Sequence, residues 1–354
     1  MQPSEPASRL TASQVKAEAA ATGFDLCGIA PPGDFPELRL LREWLDRGYA
    51  GEMQYMHRTA ERRANVLAVM PSARSVISLG VVYNTPRPYS TDSDDPTRAA
   101  IARYAWGDDY HVVIEERLRQ LVERLRGAAG DVFDARAYVD TGPVQERVYA
   151  AQAGLGWIGK NTCLINPDLG SWIFLAEIIC SLPLEPDRPV FDHCGTCTLC
   201  LDACPTGALV EPRRLDSTRC LSYLTIELKG SIPAEHRDSI AEHAYGCDIC
   251  QEVCPWNLSP EIAESDDAWQ PRPGLDAPRL LDLWNRTDDE LRALLKGSAM
   301  KRAGVRRLRR NLAVAIGNSK DRGAGSALRA HSEPTCADPL VAEHVAWALG
   351  KLGG

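Results

Sequence analysis

No stretch of this 354-residue chain approaches the roughly 18 uninterrupted apolar residues that a membrane-spanning helix needs. Its first residues, Met1-Gln-Pro-Ser-Glu-Pro, lack a basic segment followed by an apolar run, so no secretory signal is expected. Positive charge is not in excess either: 40 Lys and Arg face 48 Asp and Glu, for a net charge of -8. That balance argues against an affinity for nucleic acid over the whole surface, while leaving room for a local basic patch. A phosphate-loop motif is missing too. At 44% hydrophobic and 25% charged, the composition is that of a globular protein long enough for two or three domains.

Cysteine, by contrast, is plentiful and ordered. Cys194-Gly-Thr-Cys197-Thr-Leu-Cys200-Leu-Asp-Ala-Cys204-Pro205 has the C-x2-C-x2-C-x3-C-P spacing of bacterial ferredoxins. In that pattern three thiolates hold one iron–sulfur cluster and the fourth reaches the other. Cys247-Asp-Ile-Cys250-Gln-Glu-Val-Cys254-Pro255 repeats it with Ala244 in the first cysteine position, and Cys220 is available to fill the vacancy. Two [4Fe-4S] clusters follow, one on Cys194, Cys197, Cys200 and Cys254, the other on Cys204, Cys220, Cys247 and Cys250. Structural zinc would take four ligands from two pairs, without a third cysteine or a Cys-Pro ending. Disulfides would need an oxidising compartment, whereas oxygen-sensitive clusters point to the cytoplasm. Cys27, Cys163, Cys180 and Cys336 stand apart and read as core thiols.

Helices and strands alternate through the first half. Helices are expected over 11–22, 37–47 and 108–126, and strands over 24–30, 75–83 and 132–139. Pro143 should open a further helix to about Ala153, and 156–180 holds two more strand-like runs. Residues 1–185 therefore read as an α/β domain. Residues 186–260 form a small ferredoxin-like inset, and a polar linker over 260–278 leads to an all-helical tail, 278–354. The tail's paired short helices resemble one HEAT-type unit, which cannot bury both faces and should pack on the rest of the chain.

Gly154-Leu-Gly156-Trp-Ile-Gly159 matches the dinucleotide fingerprint, and Glu177 lies near the distance of a ribose-binding acid. But the motif follows a helix and leads into a strand, the reverse of the context that fingerprint requires. Asp109-Tyr-His111 begins like the D-x-H-x-x-G cobalamin motif, but Ile114 takes the glycine position, leaving His111 as an ordinary surface or packing residue. Asp140 closes a strand just before a helix, where it reads as a helix cap or a catalytic group. Lys296, Lys301, Arg302, Arg306, Arg307, Arg309 and Arg310 fill a window without any acid, the pattern of a polyanion contact or a solvated helix face.

Val139-Asp-Thr-Gly-Pro143, Ala153-Gly-Leu-Gly-Trp-Ile-Gly-Lys-Asn161, Gly170-Ser-Trp172 and the cysteine block together closely resemble the epoxyqueuosine reductases, relatives of the reductive dehalogenases. Asp202-Ala-Cys-Pro-Thr-Gly-Ala208 and Tyr245-Gly-Cys-Asp-Ile-Cys250 add to the match, which runs from about residue 10 to 317. The resemblance implies an α/β cobalamin-binding domain and a monomeric oxidoreductase that converts epoxyqueuosine to queuosine at the tRNA wobble position. It implies cobalamin bound without a histidine ligand, so the missing D-x-H-x-x-G is no objection. It makes Asp140 the proton donor, its pKa raised by burial, and maps cobalamin contacts to Arg63, Ala102, Asp140, Leu164, Leu175, Ser222, Cys247 and Asp248. Lys229 maps to a contact with the tRNA anticodon stem-loop, and Arg306, Arg307, Arg309 and Arg310 join it as candidates from the basic window. Electrons would come from an external single-electron donor. The competing readings are a cobalamin and iron–sulfur reductase of a small molecule, and a two-cluster electron carrier without catalysis.

Overall fold

The computed structural model describes residues 10–130, 132–258, 266–321, 323–330 and 338–353. Cys336 and the start of the linker lie outside them. In chain order the first part holds α1 (Ala12–Ala21), β1 (Leu26–Ala30), α2 (Pro36–Asp46), α3 (Gln54–Arg58), α4 (Ala60–Ala64) and β2 (Ser75–Val82). It continues with β3 (Ala100–Ile101), α5 (Tyr110–Ala129), β4 (Ala135–Tyr138), α6 (Glu146–Gln152), β5 (Trp157–Ile158), β6 (Leu164–Ile165) and β7 (Ile173–Cys180).

Helix starts follow local chemistry. Thr11 accepts from the Gln14 N–H at the head of α1, and Asp109 accepts from the His111 N–H at the head of α5. Gly130, at φ 66°, stops α5 in the left-handed conformation that glycine adopts without strain.

The strands form one sheet in the order β1-β2-β7-β4, with every pairing antiparallel. Alternating helices and strands favour a parallel sheet; here the chain returns along the neighbouring strand instead, so the layered architecture stands without parallel topology. Side chains alternate between the faces. Ile77, Leu79, Val81, Phe174, Ala176 and Ile178 pack under α1 and α5. Val76 and Ile179 pack with Leu38 of α2 and Val148 and Tyr149 of α6.

Two expected boundaries move. Val132 is exposed, and the fourth strand starts only at Ala135. Helix α6 starts at Glu146 rather than Pro143. Asp140 takes a left-handed φ of 54°, and its N–H is claimed by the Glu146 carboxylate at 2.6 Å, so 140–145 remain a loop. The first helical bonds run to the Gln145 carbonyl. Gly142 is required there: a Cβ would sit 2.5 Å from the Tyr138 ring.

The cysteine-rich part holds α7 (Leu199–Asp202), β8 (Leu209–Glu211), β9 (Arg214–Leu215), α8 (Leu221–Ile226), α9 (Ala234–Arg237), β10 (His243–Tyr245) and α10 (Ile249–Glu252). β10 pairs in parallel with β3, tying this part to the first. The tail holds α11 (Leu280–Trp284), α12 (Asp288–Leu295), α13 (Gly304–Asn318), α14 (Ala324–Ala330) and α15 (Pro339–Lys351). Its core is continuous with the rest: Leu308, Leu312 and Ile316 share one buried cluster with Ile101, Trp106, Ile226 and Tyr245. Among the described residues no helix is long and apolar enough to cross a membrane.

Candidate functional site

Two short helices, α7 and α10, carry the central cysteines of the two runs and pack on each other. The outer cysteines then cross over. Cys254 packs with Cys194, Trp157 and Trp256 in one apolar cluster, while Cys220 and Cys247 meet in another beside Leu221 and Ile240. Electrostatics sort them the same way. Cys194 and Cys200 oppose ionisation of Cys254, and Cys220 and Cys204 oppose that of Cys247. Burial raises the Cys220, Cys247, Cys250 and Cys254 thiols, whereas at Cys204 burial is outweighed by the backbone N–H groups of Leu209, Ala208 and Thr206, which lower it. A metal that takes thiolates repays this desolvation.

The glycine-rich segment that imitates a dinucleotide fingerprint is the cradle of this block. It lies after α6 and leads into β5, as its context in the sequence required. Lys160 Nζ donates to the carbonyls of Gly195 and Cys197 at 2.7 and 2.8 Å. Asn161 donates to the Cys250 carbonyl at 3.0 Å, and the Trp157 indole N–H points at Cys194 Sγ. Any side chain at Gly156 would put its Cβ 2.1 Å from the Ile165 carbonyl. The thiols outside the block divide. Cys180 is buried core, as read from the sequence, but Cys27 and Cys163 are partly exposed, and Cys163 borders Cys200, Cys220 and Cys250.

Asp140 lies in the loop between β4 and α6, its side chain half-exposed at 52%. Its Oδ2 accepts from Tyr110 Oη at 3.0 Å and faces His111 Nε2 at 3.3 Å. The expected upward pKa shift is not what this arrangement gives. Burial does push Asp140 up, but His111 and Tyr110 together outweigh it and hold the carboxyl below its usual range. Behind the loop, Glu177 points from β7 toward Glu146 and is wholly buried, with neither oxygen hydrogen-bonded to a donor. Burial and mutual repulsion raise both carboxyls, Glu146 to about 7, so the pair retains a proton near neutrality. Sequence reasoning missed Tyr110 and Glu146, set His111 aside, and met Glu177 only as an acid at ribose-binding distance. The Asp-Tyr-His run was the available signal, set aside for its missing glycine.

The residues mapped to cobalamin come from separate elements. Arg63 at the end of α4, Leu175 on β7, Ser222 on α8 and Cys247 are partly open, and Asp140 is exposed. Ala102, Leu164 and Asp248 are buried. Asp248 accepts the Arg103 N–H at 2.6 Å, and burial lifts its pKa to about 7. Ala102 donates to the Tyr245 carbonyl, and a Cβ on Gly246 would approach the Ala102 Cβ to 2.4 Å. The charges of Glu227, Arg302, Asp140 and Arg63 all act on Tyr55 of α3, so the sheet domain, cysteine-rich part and tail meet around one side chain.

The basic window of the tail is only partly a solvated face: Lys296, Lys301, Arg302 and Arg306 are exposed, but its last two arginines are not. Arg310 is fully buried and donates to the carbonyls of Leu224, Leu228 and Gly230. Arg309 is buried on the carbonyls of Trp284 and Arg286 and on Asp288. Both guanidinium groups are spent on the protein interior, which removes Arg309 and Arg310 from the candidates for tRNA contact. Arg307 bonds mainly to the carbonyls of Ile226, Arg302 and Ala303. Arg306 is 55% exposed and pairs with Asp338 at 2.5 Å, and Lys229 is exposed.

The two cysteine runs, packed on each other through α7 and α10, mark an iron–sulfur protein. The family described as 4Fe-4S double cluster binding domain matches residues 193–257, and the one described as Epoxyqueuosine reductase QueG, DUF1730 matches residues 63–141. The chain is 42% identical to the epoxyqueuosine reductase of Pseudomonas aeruginosa, covering 100% of this chain and 97% of that one. It is 41% identical to that of Xanthomonas campestris pv. campestris, covering 97% and 96%. A crystal structure of epoxyqueuosine reductase with an epoxyqueuosine-modified tRNA-Tyr stem loop superposes with a TM-score of 0.85 at 33% identity, over 97% of this chain and 90% of the other. This chain belongs to the epoxyqueuosine reductase family. Its activity is the reduction of epoxyqueuosine to queuosine in tRNA, and it carries a domain for two [4Fe-4S] clusters.

Proposed function

We propose that the reaction takes place at Asp140, on a wobble nucleotide presented by a tRNA anticodon stem-loop, with cobalamin held by Arg63, Ala102, Leu164, Leu175, Ser222, Cys247 and Asp248. The observation that carries this reading is Arg302 of the tail lying over the Tyr55 ring of α3 at 5.7 Å and pairing with Glu227 of the cysteine-rich part at 2.7 Å, with Asp140 near enough for its charge to act on the same ring. Cobalamin would supply the reduced cobalt that acts on the epoxide. Cys194, Cys197, Cys200 and Cys254 hold one cluster, and Cys204, Cys220, Cys247 and Cys250 the other. The second set adjoins Asp248, on the cofactor side, so the first is the entry point for an external single-electron donor.

The division into 1–185, 186–260 and 278–354 follows the cysteine block, and the tail is a HEAT-type unit whose outer edge meets tRNA. Oxygen-sensitive clusters and a tRNA substrate suit the cytoplasm, and one tRNA site suits a monomer. Anaerobically purified protein should hold cobalt alongside about eight irons. Cells lacking the gene should accumulate epoxyqueuosine in tRNA. Queuosine alone in such tRNA, with no second reductase to rescue it, would remove the assignment.

Lys229 and Arg306 are the cations best placed for tRNA phosphates, since both remain exposed. Arg306→Glu should weaken stem-loop binding several-fold and flatten its dependence on salt by about one to two in the log–log slope. A slope equal to that of the parent protein would confine Arg306 to its ion pair with Asp338.

A further inference from the structure

Epoxide removal has a fixed stoichiometry. The oxygen leaves as water, which takes two electrons and two protons for each alkene formed. Electrons arrive through the clusters one at a time, but Asp140 can carry only one proton, and its resting partners favour the carboxylate. A second proton source must therefore stand against it.

His111 is placed for this. Its Nε2 lies 3.3 Å from Asp140 Oδ2, and its Nδ1 lies 2.8 Å from Asp109 Oδ1. The Asp109 side chain is 2% exposed, and its other oxygen is held by Lys301 Nζ from the tail at 2.6 Å. Carboxylates thus bracket the imidazole on both nitrogens, fixing the ring and favouring its charged form. The ring stacks on Tyr110 at 4.0 Å, which limits rotation, yet the side chain keeps 23% exposure for exchange with water. We propose that His111, oriented by Asp109 and Lys301, passes a proton to Asp140 in every turnover and so supplies the second of the two protons. The inference rests on Asp140 as the donor to substrate.

The transfer balances simply. The proton on His111 Nε2 moves to Asp140 Oδ2, Asp140 releases a proton to the departing oxygen, and neutral His111 regains one from water. Nδ1–H remains on Asp109 throughout, so no bond to the helix cap is broken. The groups bearing on His111 are Asp109 and Tyr110 on its own element and Asp140 from the β4–α6 loop. Lys301 and Arg302 from the tail, and Glu146 from α6, act through Asp109, Asp140 and Tyr110. The pH dependence has a definite sign. The two carboxylates outweigh burial and raise the His111 pKa, so the relay is loaded below that raised value and empties as pH climbs through it.

His111→Gln in the cluster- and cobalamin-loaded enzyme should lower kcat by about 10- to 100-fold, leave KM for the stem-loop within about twofold, and abolish the alkaline limb of the kcat–pH profile. Added imidazole should restore part of the rate. Asp109→Asn, which keeps the helix cap, should lower the pH of that limb. Independently of turnover, NMR titration of the parent protein should show His111 titrating above the ordinary range, and nearer to it in Asp140→Asn. Parent-like kcat and pH profile in His111→Gln, with Asp140→Asn inactive, would overturn the relay and leave Asp140 standing. An active Asp140→Asn would overturn both. If His111→Gln does not fold, an ordinary His111 titration in the parent protein overturns the relay by itself.

Discussion

Asp140→Asn is expected to bind the tRNA stem-loop and corrinoid as the parent protein does, while product formation falls by about 10²- to 10⁴-fold. The substitution is conservative wherever structure is concerned. Asparagine tolerates the left-handed φ of 54°, the backbone N–H still reaches Glu146, and an amide oxygen still accepts from Tyr110. What it lacks is a carboxyl that can carry a proton. Single-turnover conversion, followed by mass spectrometry of nucleosides from the tRNA, is the direct measurement, and a rate within threefold of the parent would exclude Asp140 as the donor. Residual activity has a source in view. Glu146, with its pKa raised by burial and by the Asp140 charge, keeps the burial contribution but loses the Asp140 one in the variant, so the slow rate should rise only as pH falls below 7.

The uneven legibility of the sequence has a physical cause. Cluster ligands follow chain spacing, because a cubane takes thiolates at particular separations, so a double-cluster domain was legible in the cysteine runs before any fold was known. Helix α1 was equally legible, since its cap lies within four residues of its start. The role of an arginine is not local. Arg309 and Arg310 share a window with exposed cations, yet their environment is set by carbonyls more than 20 and 80 residues away. His111 was undervalued for the same reason: Asp140, 29 residues on, and Lys301 of the tail give it its meaning. The start of α6 was misplaced because the Glu146 side chain, rather than a helical carbonyl, takes the Asp140 N–H. Strand direction was equally hidden, as alternation of elements states how many times the chain crosses the sheet but not which neighbour it pairs with.

Crossed ligation can be separated from two independent clusters by counting iron in paired variants. Cys254→Ser is expected to lose one cluster, leaving about four of eight irons, although Cys254 belongs to the second run of cysteines. If it shares its cluster with Cys194, as their packing around Trp157 and Trp256 indicates, the double variant Cys194→Ser/Cys254→Ser loses no more iron than either single one. The pair Cys247→Ser/Cys254→Ser, only seven positions apart in sequence, should lose both clusters. Uncrossed ligation predicts the opposite in each case, so the two double variants decide without reference to activity. Non-additivity of this kind is what residues acting as one unit produce. Turnover should vanish in each of these variants, because the proposed route for electrons runs from the first set through the second. Stability should distinguish them: losing the set that contains Cys220 and Cys247 loosens the core shared with Leu221, Leu224 and, from the tail, Val314, whereas losing the other set disturbs mainly the contacts that Lys160 and Trp157 make to Gly195, Cys197 and Cys194. Thermal unfolding of Cys247→Ser should therefore begin at a lower temperature than that of Cys254→Ser, and the helical tail should melt with it.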